Sequence, residues 1–142
     1  MRPWAFVSLV LFAVACGLPA LRFDLNVYSG PAVLLMGWAV IAQGVIAWYA
    51  NPIWLFGLVM AALGKTRVAA MACLLALTVG CSTLLLFHQT LWDGQEGGHV
   101  QRLQQILPGG YAWLASLAAS PLGALLASRG QRHFLGSGTA AR

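Results

Sequence analysis

Acidic residues are nearly missing from this sequence. Asp and Glu together number three, and charged residues of either sign make up 8% of the 142 residues, against about a quarter in an ordinary soluble domain. Asp, Glu, Lys and Arg are all absent from the interior of the apolar stretches. That removes the membrane-embedded carboxylate on which a proton-coupled pump or a small multidrug exporter depends. Cysteine is scarce too: Cys16, Cys73 and Cys81 lie in apolar stretches and form no Cys-x-x-Cys pair. A disulfide framework and a thiol oxidoreductase are both excluded as readings. Of the three histidines, no two sit at membrane depth, where a haem would need two axial ligands. No serine has the glycine-framed setting of a recognisable nucleophile. The expectation is a protein that is not an enzyme and uses no cofactor.

What the chain has is apolar surface. Hydrophobic residues make up 60% of it, so lipid is expected to be its main solvent. The formal charge of +5 comes from basic residues scattered through short connections and the tail. These read as topology determinants and not as a nucleic-acid surface.

From Leu25 to Gly64 there is no charged residue, and the apolar part, Pro31 to Gly64, is 34 residues long. As one helix it would extend roughly 50 Å, against a hydrocarbon core of about 30 Å. Its middle is Trp48-Tyr49-Ala50-Asn51-Pro52. Proline disfavours helical geometry at the residue before it and Asn supplies turns, so the helix is expected to break at Ala50 or Asn51. The remaining thirteen residues to Gly64 make a half-helix of roughly 20 Å.

The fold class that follows is all-α. We expect a single polytopic transmembrane helical bundle of four crossings plus this short half-helix, the alternative being five crossings. The helices are placed at about 4–21, 31–50, 52–64 (short or re-entrant), 68–88 and 111–128, with an outer loop over 89–110 and a basic tail over 129–142. Within that loop, Val100, Leu103, Ile106 and Leu107 suggest one side of a short interfacial helix. Six basic residues fall on the cytoplasmic side in both arrangements, so charge bias does not separate them. The expected location is a bacterial cytoplasmic membrane with the termini inside. The N-terminus also has the outline of a signal peptide with a lipoprotein site at Cys16, although a retained first helix fits better.

Small residues mark candidate contact faces, since close backbone approach drives helix association in lipid. Gly30, Gly37 and Gly44 recur every seventh residue. Ala72, Ala76 and Gly80 recur every fourth, as do Ser116 and Ser120. These suggest binding to partner helices, of another membrane protein or of the chain itself, in an accessory or an inhibitory, immunity-type subunit. The competing expectation is a small homo-oligomeric transporter or channel, with Gln43, Trp48, Tyr49, Asn51 and Pro52 around a cavity at the broken helix. In the outer loop Asp93, Glu96 and His99 are weak candidates for a metal, but their spacing matches no defined site. A solvated loop is the simpler account.

Overall fold

Gly17-Leu18-Pro19 stops the first helix early. A glycine releases the last turn, and a proline two residues later cannot continue it. In the computed structural model, which describes residues 3–24, 26–92 and 100–137, α1 spans Pro3–Gly17, and the chain turns at once into strand β1, Pro19–Phe23. Strand β2, Val27–Ser29, pairs with it antiparallel, with Leu21 opposite Tyr28. Ser29 caps the next helix, α2, Gly30–Met36, its hydroxyl accepting from the Ala32 N–H, and Pro31 occupies the first turn, where its missing donor is of no consequence.

The long charge-free run does break, but at Gly44. A 3-10 stretch over Gly37–Gln43 ends there with φ +80°, the left-handed conformation that favours glycine. A 3-10 turn, Ala47–Tyr49, leads into α3, Ala50–Ala62. Asn51 and Pro52 therefore lie in the first turn of a continuous helix, the one place where proline interrupts nothing. The expected break at that step is corrected accordingly. Gly64, with φ +78°, turns the chain into α4, Thr66–Cys81, which continues as a 3-10 stretch over Ser82–His88.

After α4 come β3, Thr90–Trp92, and β4, Val100–Ile106. The four strands form one antiparallel sheet in the order β2-β1-β4-β3. Here the spacing of Val100, Leu103 and Ile106 misleads. The segment is a strand and not an interfacial helix, and a bulge lets Leu103 and Ile106 both face inward. Phe23 pairs with Leu103 and Arg22 with Gln105, so Gln104 is the extra residue, and a bulge of this kind shifts the side-chain alternation by one. Asp24 secures it: one carboxylate oxygen accepts from the Arg102 N–H at 2.8 Å and the other from the Gln104 side chain. The last helix, α5, runs from Pro108 to Ser137 and continues through Pro121. It takes in much of the segment expected to be tail.

The all-α, four-crossing expectation is thus overturned, and the five-crossing alternative with it. A four-stranded sheet is present, and among the described residues one helix, Thr66–His88, is long and apolar enough to cross a membrane. Pro3–Gly17, Gly30–Gln43 and Ala47–Ala62 are apolar but shorter. The reason lies in the chain's punctuation: Gly17, Pro19 and Gly44 end helices before they reach spanning length.

Helix α5 packs against α1 and α4, and α3 packs against α4. The sheet lies where α1 and α4 end and α5 begins. Two apolar clusters result. Ala5, Ala50, Trp54, Leu58, Ala76 and Leu117 fill the helical layer. Ala20, Leu21, Phe23, Val45, Leu86, Leu91, Leu103 and Ile106 form a second cluster between the helix ends and the sheet. Trp113 packs against both.

Candidate functional site

Between the sheet and the helix ends is a cavity of about 410 Å³, within the range of small-molecule sites. Phe12, Ala15 and Cys16 bring the end of α1 to it, and Ala20, Leu21 and Phe23 the inner face of β1. Val33, Met36, Gly37, Val40 and Gln43 cover it from α2 and the 3-10 stretch that follows. Ala47, Trp48 and Asn51 line it from the start of α3, Thr83 and Leu86 from the end of α4, and Gly109, Trp113 and Leu114 from α5. The described lining residues include no Asp, Glu, Lys, Arg or His. Polarity comes only from neutral groups, among them Tyr28, Gln43, Asn51, Thr83 and Gln101.

Two tryptophans organise the wall. The Trp113 indole donates to Asn51 Oδ1 at 2.8 Å, joining α5 to α3. The Trp48 indole donates to the Leu34 carbonyl at 2.7 Å, so α3's approach is tied to the covering helix. Gly37 makes room for that indole: a Cβ there would lie 2.5 Å from Trp48 Cδ1. On the sheet side, Gln101 donates to the Tyr28 hydroxyl at 3.2 Å.

Of the residues singled out in the sequence, Gly30, Gly37, Gln43, Trp48 and Asn51 line this one cavity. Tyr49 and Pro52 do not line it, although Tyr49 meets Trp48 edge to face at 5.4 Å. Gly44 is the turn beside it. The other small residues are enclosed within the chain. Ala72, Ala76 and Gly80 are buried in α4, and a Cβ at Gly80 would collide with Leu117 of α5. Ser116 and Ser120 are fully buried and belong to a hydroxyl network with Ser8 and Trp54. Asp93, Glu96 and His99 lie outside the described residues, and among those described no group of three His, Cys, Asp or Glu residues is placed to hold a metal.

Thr83, Tyr28 and Gln101 were not singled out. Thr83 had a sequence signal: it continues the Ala72, Ala76, Gly80 face at a helical spacing of three. Tyr28 and Gln101 reach the cavity only through strand pairing, which local pattern does not carry. No family model matches this chain, and no curated protein or solved structure shows significant similarity to it, so the chemistry of the cavity rests on its own residues.

Proposed function

We propose that this chain is a membrane-embedded, non-catalytic protein that holds a hydrocarbon chain of a lipid in the cavity between its helices and its sheet. The uncharged, largely apolar 410 Å³ cavity carries the proposal. An apolar ligand gains there by leaving water, and no charge among the described lining residues opposes it.

The membrane part rests on the outward faces. Met71, Leu74 and Leu75 of α4 are 73%, 56% and 54% exposed, and Leu84 and Leu85 continue the surface in the 3-10 extension. Phe6, Val10 and Val14 of α1 and Leu55, Phe56 and Val59 of α3 add to it. Apolar surface this extensive is at home against acyl chains and not against water. Lys65 and Arg67 stand at one end of Thr66–His88, where basic side chains reach the headgroup layer.

A role as an accessory subunit would have to use surfaces other than the small-residue faces, because Ala76, Gly80, Ser116 and Ser120 are occupied within the chain. A path along a helix broken at Asn51-Pro52 is not proposed, since α3 is continuous there.

The test is to purify the full chain in mild detergent and identify co-purifying lipid by mass spectrometry. A lipid should be retained by the wild type and lost from Val40→Trp and Ala32→Phe, which fill the cavity from its cover. Retention unchanged in both variants, or no lipid in the wild type, would overturn the proposal.

A further inference from the structure

Resting on the lipid-binding reading above, we infer that Asn51 and Thr83 form a polar subsite in this cavity that selects a lipid with a neutral oxygen head, an ester carbonyl or a hydroxyl. The two residues come from antiparallel neighbours. Helices α3 and α4 meet where a Cβ at Gly80 would lie 3.6 Å from that of Ala50. Asn51 follows Ala50 and Thr83 follows Gly80 by one turn, so on antiparallel helices the two stand on opposite sides of that contact, and both line the cavity wall.

The hydrogen bonds already made fix what is left over. An indole N–H only donates, so its bond to Asn51 Oδ1 orients the amide with its oxygen toward Trp113 and its nitrogen elsewhere. Among the described residues that nitrogen has no protein partner. Thr83 is 5% exposed, and among the described residues its hydroxyl has none either. Its neighbours behave differently: Thr78 donates to the Leu74 carbonyl at 3.0 Å and Ser82 to the Val79 carbonyl at 2.6 Å. A hydroxyl on a buried, cavity-lining residue that makes no bond to its own helix is open to another acceptor or donor.

The two offer an amide donor and a hydroxyl that donates or accepts, in a largely apolar wall. A carbonyl oxygen accepts from either; a ligand hydroxyl accepts from Asn51 or bonds Thr83 in either sense, so an ester and a hydroxyl on one lipid head can engage the two separately. A carboxylate or phosphate would meet no cationic side chain among the described lining residues, and an unpaired charge is strongly disfavoured there.

The experiment measures displacement of radiolabelled monooleoylglycerol from the full chain in detergent by three probes: unlabelled monooleoylglycerol, oleate, and octadecene. The wild type should prefer monooleoylglycerol to both others. Thr83→Val, which keeps the side chain's shape, should weaken monooleoylglycerol about three- to tenfold, the range of one neutral hydrogen bond, and leave octadecene unchanged. Thr83→Ser should restore the preference, and Asn51→Leu should reduce it independently. An unchanged ratio of monooleoylglycerol to octadecene in Thr83→Val would overturn the subsite while leaving lipid binding intact, as for a pair that holds only water. Tighter binding of oleate would overturn the choice of a neutral head. Failure of the wild type to bind any of the three would overturn the lipid-binding reading itself.

Discussion

The Trp54 indole nitrogen donates to the Ser8 hydroxyl oxygen at 3.0 Å, joining α3 to α1 across a layer in which α1 packs on α5 and α3 on α4. The same indole nitrogen lies 3.2 Å from Ser120 Oγ. Ser120 donates to Ser8 at 2.8 Å, and Ser8 in turn donates to the Ser116 carbonyl at 2.6 Å. Ser8 is therefore the centre of the network, accepting two bonds and giving one. Ser8→Ala should destabilise the chain by about 1–3 kcal/mol, because it leaves the Ser120 hydroxyl buried without its acceptor. Trp54→Phe should lose less, about 0.6–1.7 kcal/mol, since the ring keeps its stacking on Phe12 at 4.7 Å and the serines keep one another. Thermal unfolding in detergent checks the order; equal stability of Ser8→Ala and wild type would mean that the network contributes nothing.

Gly80 and Leu117 are fitted to each other at the α4–α5 contact, where any Cβ at Gly80 collides with the leucine and Leu117 is fully buried. Gly80→Val should cost about 1–3 kcal/mol through overpacking. Leu117→Ala alone leaves a cavity and should also destabilise. In the double variant the added and removed volumes offset each other, so the loss should be smaller than the sum of the two single losses. Strict additivity, read from the same unfolding curves, would show that the two residues do not share this contact.

Some of this was legible in the sequence and some was not. The apolar stretch at 68–88 announced α4, because nothing in it interrupts a helix. Gln43, Trp48 and Asn51 stood out as polar or amphipathic groups in an apolar run, and all three line the cavity. The glycine series at Gly30, Gly37 and Gly44 concealed two different uses. Gly37 admits an indole, whereas Gly44 supplies a left-handed turn, and spacing alone cannot tell close approach from backbone conformation. The sheet was invisible for a different reason. β1 and β2 are five and three residues long, too short for a periodic signal, and the bulge at Gln104 gives β4 a helix-like spacing of three. Strand pairing between residues some eighty positions apart, such as Phe23 with Leu103, is not written in local pattern.

That bulge makes its own prediction. Asp24 accepts from the Arg102 N–H at 2.8 Å and from the Gln104 side chain, and its own N–H donates to the Arg102 carbonyl at 3.2 Å. Asp24→Ala removes both side-chain bonds and keeps the backbone one. The Arg102 amide should then exchange with deuterium markedly faster, while amides of α4 stay protected, since opening here is local. Asp24→Asn keeps one oxygen for the Arg102 N–H and should show an intermediate rate. Uniform exchange across the three proteins would mean that the bulge is held by strand pairing alone.

The cover of the cavity depends on Trp48. Its indole donates to the Leu34 carbonyl at 2.7 Å, linking the start of α3 to α2 across the Gly44 turn. Without the indole N–H, the segment from Gly30 to Gln43 keeps its caps, Ser29 at one end and Gly44 at the other, but loses this tie to α3. Trp48→Phe retains ring contact and removes only the donor. It should leave global stability nearly unchanged, raise deuterium exchange over the 3-10 stretch Gly37–Gln43, and speed release of bound monooleoylglycerol about three- to tenfold, the worth of one neutral hydrogen bond. Faster exchange without faster release would mean that the ligand leaves by another route, past the sheet. Faster release with unchanged exchange would place the effect in the cavity wall itself, because Trp48 contributes to both.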